Sequence, residues 1–467
     1  ILPVVSGVWS ARESEMKSAG RPISAALRGR RYVAQAAAAQ SKVALAREDV
    51  QVSRLPNGAL VASVENNSPV SRLAVFYNAG SRFETANNLG IVNCIRNLSD
   101  QGSKKMTGFG LTRNVEQLGA NLTCSATREH LIYSMLCLRS NFDDCVGILG
   151  NVASSPAFNF WEMPDGRYRM EYEQALLQTQ PHVQLMEALH KAAYKTTLGN
   201  SLYMPSFKLG TYTPEMLYSF TDQYFVSGNA AIVGVGVNHE QLVKQAKKIK
   251  FASGSAPAKQ AATYGGGEVF VEGPGDLVHA AIATEGRDLG SSDLLSLAVL
   301  QKVLGPQPSL KYSSNVTSSK TSKAAGQGTS YPYAASCLNA SYSDSGLFGF
   351  QVIAQFTDVG KVLKSVVDAF ANATKEGGIS DADVSRAKAQ LKAASHMELE
   401  DSGVVLEDLG VQTLLAGQVL NMDDVDAAID KISTADVQAV AKKVINGKPC
   451  MAAVGKTYDT PRLDQLL

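Results

Sequence analysis

The sequence is poor in the residues that metal, haem and disulfide chemistry require. Six cysteines are spread over 467 residues with no CxxC pair, so neither a disulfide-built scaffold nor a haem or iron–sulfur site of its own is expected. Six histidines stand at 130, 182, 190, 239, 279 and 396, and no two are three or four apart. That spacing is what lets two imidazoles on one helix face share a metal ion. His182, Glu187 and His190 come nearest to a cluster, but the two histidines are eight residues apart, more than two helical turns. No GxSxG motif occurs, and no Cys–His pairing suggests a nucleophile. The triplet Gly455-Lys456-Thr457 lacks the earlier glycine of a phosphate loop, since that position is Cys450. The longest apolar run, residues 230–237 (AAIVGVGV), falls far short of the roughly 20 residues a membrane-spanning helix needs. Basic and acidic residues number 44 and 43, a net charge of +1, which removes the electrostatic reason to expect nucleic acid.

What the chain does have is apolar substance. It is 45% hydrophobic, and a chain of this mass buries about three quarters of its unfolded surface. Its length suits two large domains or about three ordinary ones.

Residues 1–49 differ from the rest. They are rich in Ala and Ser and carry Arg12, Lys17, Arg21, Arg28, Arg30, Arg31, Lys42 and Arg47, against Glu13 and Glu15 as the only acids before Glu48. An Arg- and Ser-rich, acid-poor N-terminus has the composition of a mitochondrial transit peptide. Arg30-Arg31-Tyr32-Val33 looks like a matrix processing site, with cleavage expected after Tyr32.

Beyond this segment the chain repeats itself once. Residues 251–267 (FASGSAPAKQAATYGGG) have the composition of a linker, and the halves at 50–250 and 268–467 read alike. A β-rich run ending AGSR at 79–82 leads into a helix near 89–99. Its counterpart at 277–287 (LVHAAIATEGR) leads into a helix at 291–304. The strand at 131–138 with its helix at 143–152 matches 348–355 followed by 359–370. Each half closes on a capped helix and a strand, with Thr213-Pro214-Glu215 and Thr434-Ala435-Asp436 as the caps. The second half also carries long helices at 381–397, 406–416 and 423–432, whose apolar residues recur every three or four positions. The expected fold class is α+β: two homologous domains, each an antiparallel sheet with helices on one face. Residues 311–330 (KYSSNVTSSKTSKAAGQGTS) hold almost no large apolar side chain, so a mobile loop facing a cleft or a neighbouring chain is expected there.

These two halves resemble the pitrilysin-type zinc peptidases, and local phrases carry the likeness. Leu55-Pro56-Asn57-Gly58, the run AGSRFET, and Tyr342-Ser343-Asp344-Ser345-Gly346-Leu347-Phe348-Gly349 are similar to the family's signatures over roughly residues 50–455. Active members carry His-x-x-Glu-His on the first helix, two zinc ligands flanking a general base. The aligned positions here are Asn93, Arg96 and Asn97, and the resemblance puts the remaining carboxylate ligand at Glu173. Asn is a weak zinc ligand, and Arg96 cannot accept a proton at physiological pH. The likeness therefore implies no catalytic, cofactor-binding or metal residue, and no cofactor.

Two mitochondrial branches of this family lack the motif. One is the α subunit of the matrix processing peptidase, which has a Gly-rich loop where this chain reads Leu304-Gly305-Pro306-Gln307-Pro308-Ser309-Leu310-Lys311. The other is the core proteins of the cytochrome bc1 complex, to which LPNGALVASVEN, the segment 303–319 and NASYSDSGLFGF are more similar. That likeness implies a structural subunit on the matrix side of the inner membrane. It would pair with core protein 1 and, through the complex, with cytochrome b, cytochrome c1 and the Rieske subunit. A presequence peptide in the inter-domain cleft is the alternative the fold allows.

Overall fold

The computed structural model describes residues 49–306, 319–375 and 377–466. The expected processing site and residues 1–48 lie outside the described residues, as does 307–318.

In the first half, β1 (Gln51–Arg54), β2 (Leu60–Val64) and β3 (Val70–Tyr77) precede a short ladder of β4 (Gly102–Ser103) and β5 (Met106–Thr107). β6 (Asn121–Ala126), β7 (Leu131–Leu138) and β8 (Ala230–Val235) complete the main sheet, in the order β1-β2-β8-β3-β7-β6. The second half contributes β9 (Gly267–Glu272), β10 (Leu277–Glu285), β11 (Ala334–Ser341), β12 (Gly346–Gln355) and β13 (Cys450–Gly455), ordered β11-β12-β10-β13-β9. The α+β class and the duplication hold, with one refinement. β2 pairs with β8, and β13 with β9, in parallel, so each sheet is mixed rather than wholly antiparallel.

A second correction concerns the faces. Strands with one wet face alternate apolar and polar, whereas β8 and β13 are buried at every position. Both faces are covered, and the second cover is exchanged between halves. One face of the first sheet, with Leu73, Val75, Tyr77 and Ile232, packs on helices of its own half, Ile91–Asn97 and Phe142–Ser154. Its other face, with Ala74, Phe76, Ala231 and Val233, receives Val405, Leu406 and Leu409 of the helix Ser402–Ala416 from the second half. Reciprocally, Ala281, Ala283, Ala452 and Val454 receive Leu185, Ala188, Leu189 and Ala192 of the helix Pro181–Tyr194 from the first half. Each fully buried Leu in these layers contributes roughly 1.5–3 kcal/mol, so the exchange ties the halves together. Gly410 permits the contact: a Cβ there would sit 2.3 Å from the Phe76 ring.

Local chemistry departs from expectation in three further places. The helix Thr434–Ile445 is capped by Ser433, not Thr434, in a reciprocal box with Asp436. Thr213 does precede the helix Pro214–Tyr224, but its side chain makes no capping bond to the backbone. The stretch expected as a loop at 311–330 holds the helix Lys320–Gln327, capped by Ser319. Thr321, Ala324 and Ala325 are buried there, Thr321 donates to the Leu304 carbonyl at 2.9 Å, and Lys320 pairs with Asp383 at 2.8 Å. Small residues pack as closely as large ones when the neighbouring helix approaches, so low hydrophobicity did not mean low burial.

Candidate functional site

The helix Ile91–Asn97 begins at Gly90, whose φ of 86° is left-handed and whose missing Cβ leaves room for Met204. Glu84 stabilises this start by accepting from the N–H groups of Gly90 at 2.7 Å and Val92 at 3.0 Å. Burial raises the Glu84 carboxyl to about 8, and the two N–H bonds only partly oppose it. The folded protein thus keeps a proton that the unfolded chain loses near the ordinary glutamate range of about 4.3, so stability falls as pH rises between these values. Glu84→Gln is expected to remove this slope. Denaturant midpoints of the two proteins, compared from about pH 5 to about pH 8, would run parallel if the reading were wrong.

Asn93, Arg96 and Asn97 follow at helical spacing and point the same way. The helix Met163–Gln178 brings Glu173 to meet them. Its Oε2 accepts from Asn93 Nδ2 and Asn97 Nδ2, each at 3.1 Å, while Oε1 forms an ion pair with Arg96 Nη2. Asn93 Nδ2 also donates to the Leu202 carbonyl at 3.2 Å, and Asn97 Nδ2 to the Asn93 carbonyl at 3.0 Å. The four residues aligned by resemblance thus converge in space. Their chemistry is the reverse of a cation site. One carboxylate faces a guanidinium and two amide N–H donors, so its charge is already neutralised and three of its roughly four lone-pair sites are taken. A divalent ion placed here would meet Arg96 first.

The second cluster joins the halves. Arg82 Nη1 donates to Glu129 and to Asp344, both at 2.7 Å, and Nη2 pairs with Asp344 and donates to the Gln260 carbonyl at 2.8 Å. Glu129 in turn accepts from the N–H of Ser343 at 2.9 Å and from its hydroxyl. The guanidinium is fully buried and bonded to its own half, the linking segment and the second half at once. Sequence reasoning does not reveal this clasp, although Arg82 lies in the AGSR phrase and Asp344 in YSDSG. Their charges are far apart in the chain, and neither phrase alone shows what its ions pair with.

Glu187 and His190 belong to the same interface. Glu187 takes Arg128 at 2.5 Å and the N–H of Leu202 at 3.1 Å. His190 bridges the Met186 carbonyl at 2.7 Å and the Tyr342 hydroxyl of the second half at 2.6 Å. Burial, with the charge of Arg128 adding to it, holds the His190 pKa well below the usual imidazole value, so the ring is a neutral bridge. Thr457 of the GKT triplet donates to Glu272 at 2.5 Å, and Lys456 lies over the Phe356 ring, so both are engaged within the fold. Between the halves lies a cavity of about 810 Å³, lined by Glu84, Gln174, Lys191 and Tyr203 from the first half and by Val269 and Val271 from the second.

Two α+β halves, exchanged helices, and a first-half helix whose i, i+3 and i+4 positions meet a distal glutamate define a class. Residues 60–206 match the insulinase family (peptidase family M16), and residues 211–391 match the peptidase M16 inactive domain. The chain belongs to peptidase family M16. It is 38% identical over 422 residues to the human protein named cytochrome b-c1 complex subunit 2, mitochondrial, covering 90% of this chain and 92% of that one. The mouse protein of the same name is 38% identical over 92% of this chain and 94% of its own length. The potato mitochondrial-processing peptidase subunit alpha is 26% identical over 89% of this chain and 83% of its own.

Proposed function

We propose that the chain is a non-catalytic structural subunit of the mitochondrial cytochrome b-c1 complex, respiratory complex III, that supports its assembly and stability. The observation that carries this reading is the neutralised site. Asn93, Arg96 and Asn97 stand where active members would have His, Glu and His, and they close on Glu173. Neither zinc binding nor activation of a water is available to such a set. Relatives at 38% identity over nine tenths of the chain bear the name of a b-c1 subunit, which supports the assembly and the mitochondrial location. No helix among the described residues is long and apolar enough to cross a membrane, in keeping with a peripheral subunit. We place it on the matrix side, paired with core protein 1 and, through the complex, with cytochrome b, cytochrome c1 and the Rieske subunit.

The second reading is a presequence-binding, non-catalytic subunit of a processing peptidase. The 26% identity to such a subunit and the inter-domain cavity favour it. Depleting the chain from mitochondria separates the two. The expected result is loss of ubiquinol–cytochrome c reductase activity with presequence processing intact. Accumulated precursors beside a normal complex III would favour the second reading.

A further inference from the structure

The helix Met163–Gln178 carries apolar residues on two sides between its charged ones. Its inner side buries Gly166 and Met170, and Gly166 lies so near Leu98 that a Cβ would approach to 2.7 Å. Its outer side carries Tyr168, Tyr172 and Leu176 at four-residue spacing, hence on one face. Just before it stand Phe160 and Trp161. Trp161 shares with Phe109 the lining of a groove of about 370 Å³. The five aromatic side chains are 66–81% exposed. A soluble surface rarely leaves a cluster of exposed aromatic side chains of this size uncovered.

The extent of the face and its charges say what covers it. Five aromatic residues of about 200 Å² each, exposed to this degree, present on the order of 700 Å², close to the roughly 800 Å² that each partner contributes to a standard protein interface. Of the charged groups among them, Arg169 pairs with Asp100 at 2.6 Å and Arg167 with Glu171 at 2.8 Å, and Glu162 accepts from Asn159 at 3.0 Å. Asp165, three residues before Tyr168, and Arg113, four after Phe109, are exposed at the rim. A helix that lies on a bilayer keeps free Lys and Arg for the headgroups, whereas Arg167 and Arg169 of this helix are paired with carboxylates and its exposed Asp165 would be repelled by anionic headgroups. We infer that the face made by Phe109, Phe160, Trp161, Tyr168 and Tyr172 docks onto an apolar patch of a neighbouring protein subunit, with Trp161 and the two tyrosines as anchors. This rests on the reading of the chain as a subunit of a larger assembly.

The test replaces Trp161, Tyr168 and Tyr172 together by Ser and expresses the full chain in mitochondria. Tyr331→Ser/Tyr458→Ser, at exposed aromatics elsewhere, serves as the control. The free triple variant is expected to melt within a few degrees of the wild type, because about two thirds of each replaced side chain is exposed. Its recovery in the haem-containing complex is expected to fall by roughly tenfold or more, while the control is unaffected. Hydroxyl-radical labelling supplies a second readout, with Trp161 modified in the free chain and protected in the complex. Equal recovery of triple variant and wild type, or equal labelling of Trp161 in both states, overturns the inference. Protection of Trp161 by neutral phosphatidylcholine vesicles alone would assign the face to a bilayer and overturn it too. If even the wild type fails to enter the haem complex, it is the functional reading that fails.

Discussion

Asn93→His, Arg96→Glu and Asn97→His, made together, are expected to take the chain from essentially no tightly bound zinc to about one ion per chain. Each single change should leave it near zero. The reason is electrostatic as much as coordinative. Arg96 is ion-paired with Glu173, so Asn97→His alone adds one imidazole beside a fixed positive charge and a carboxylate that is already engaged. Two unit charges at about 4 Å interact by roughly 4 kcal/mol at an effective dielectric near 20, and a divalent ion doubles the repulsion. Removing Arg96 alone frees Glu173 but supplies no second strong ligand. Only the triple change offers two imidazoles one helical turn apart, with Glu173 as the third ligand. Elemental analysis after dialysis against a weak chelator reads the outcome. Stoichiometric zinc in the unmodified chain would contradict this account of the site.

The largest expected loss of stability comes from Arg82. Removing one member of a buried ion pair leaves its partners charged and unpaired, at a cost of about 3–5 kcal/mol. Arg82→Leu strands Glu129 and Asp344 together, two carboxylates that face one guanidinium. Most surface substitutions stay within about 0.5 kcal/mol, so the effect should be unmistakable in urea unfolding. Arg82→Leu combined with Glu129→Gln and Asp344→Asn is expected to recover part of the loss, because no bare charge remains. The clasp also has a pH signature. Burial alone would raise the Asp344 carboxyl, but the hydrogen bonds from Arg82 and the Ala262 N–H outweigh it and hold its pKa below the usual value. A depressed carboxyl contributes stability above the unfolded value near about 3.9 and loses it as pH falls through the folded value. Wild type should therefore lose more stability on acidification through this range than Arg82→Leu does. A substitution that costs under about 1 kcal/mol would show that the halves are held by the exchanged helices alone.

Much of the fold was legible because apolar runs mark strands whatever packs on them. Residues 230–237 and 451–454 read as strands from sequence, and both lie where each half ends. Their lack of alternation was a sign of two covered faces. What covers the second face was not legible, because the stripe of Leu185, Leu189 and Ala192, or of Val405 and Leu409, shows that a helix packs but not on which sheet. Asn93, Arg96 and Asn97 could be placed on one helix face from spacing, whereas Glu173 came only through family resemblance, being joined to them by tertiary structure. The Arg82 clasp was hidden for the same reason. Residues 82, 129 and 344 are ordinary charges until the halves meet. The helix Lys320–Gln327 is not legible because its buried side chains are Thr, Ser and Ala, with no large apolar residue to mark a face.

Affinity capture of the chain from detergent-solubilised mitochondria tests the central claim most directly. The eluate is expected to show the reduced-minus-oxidised absorbance bands of b- and c-type haems and no cleavage of a presequence peptide. A haem-free eluate holding a soluble M16 peptidase that cleaves the peptide would contradict it.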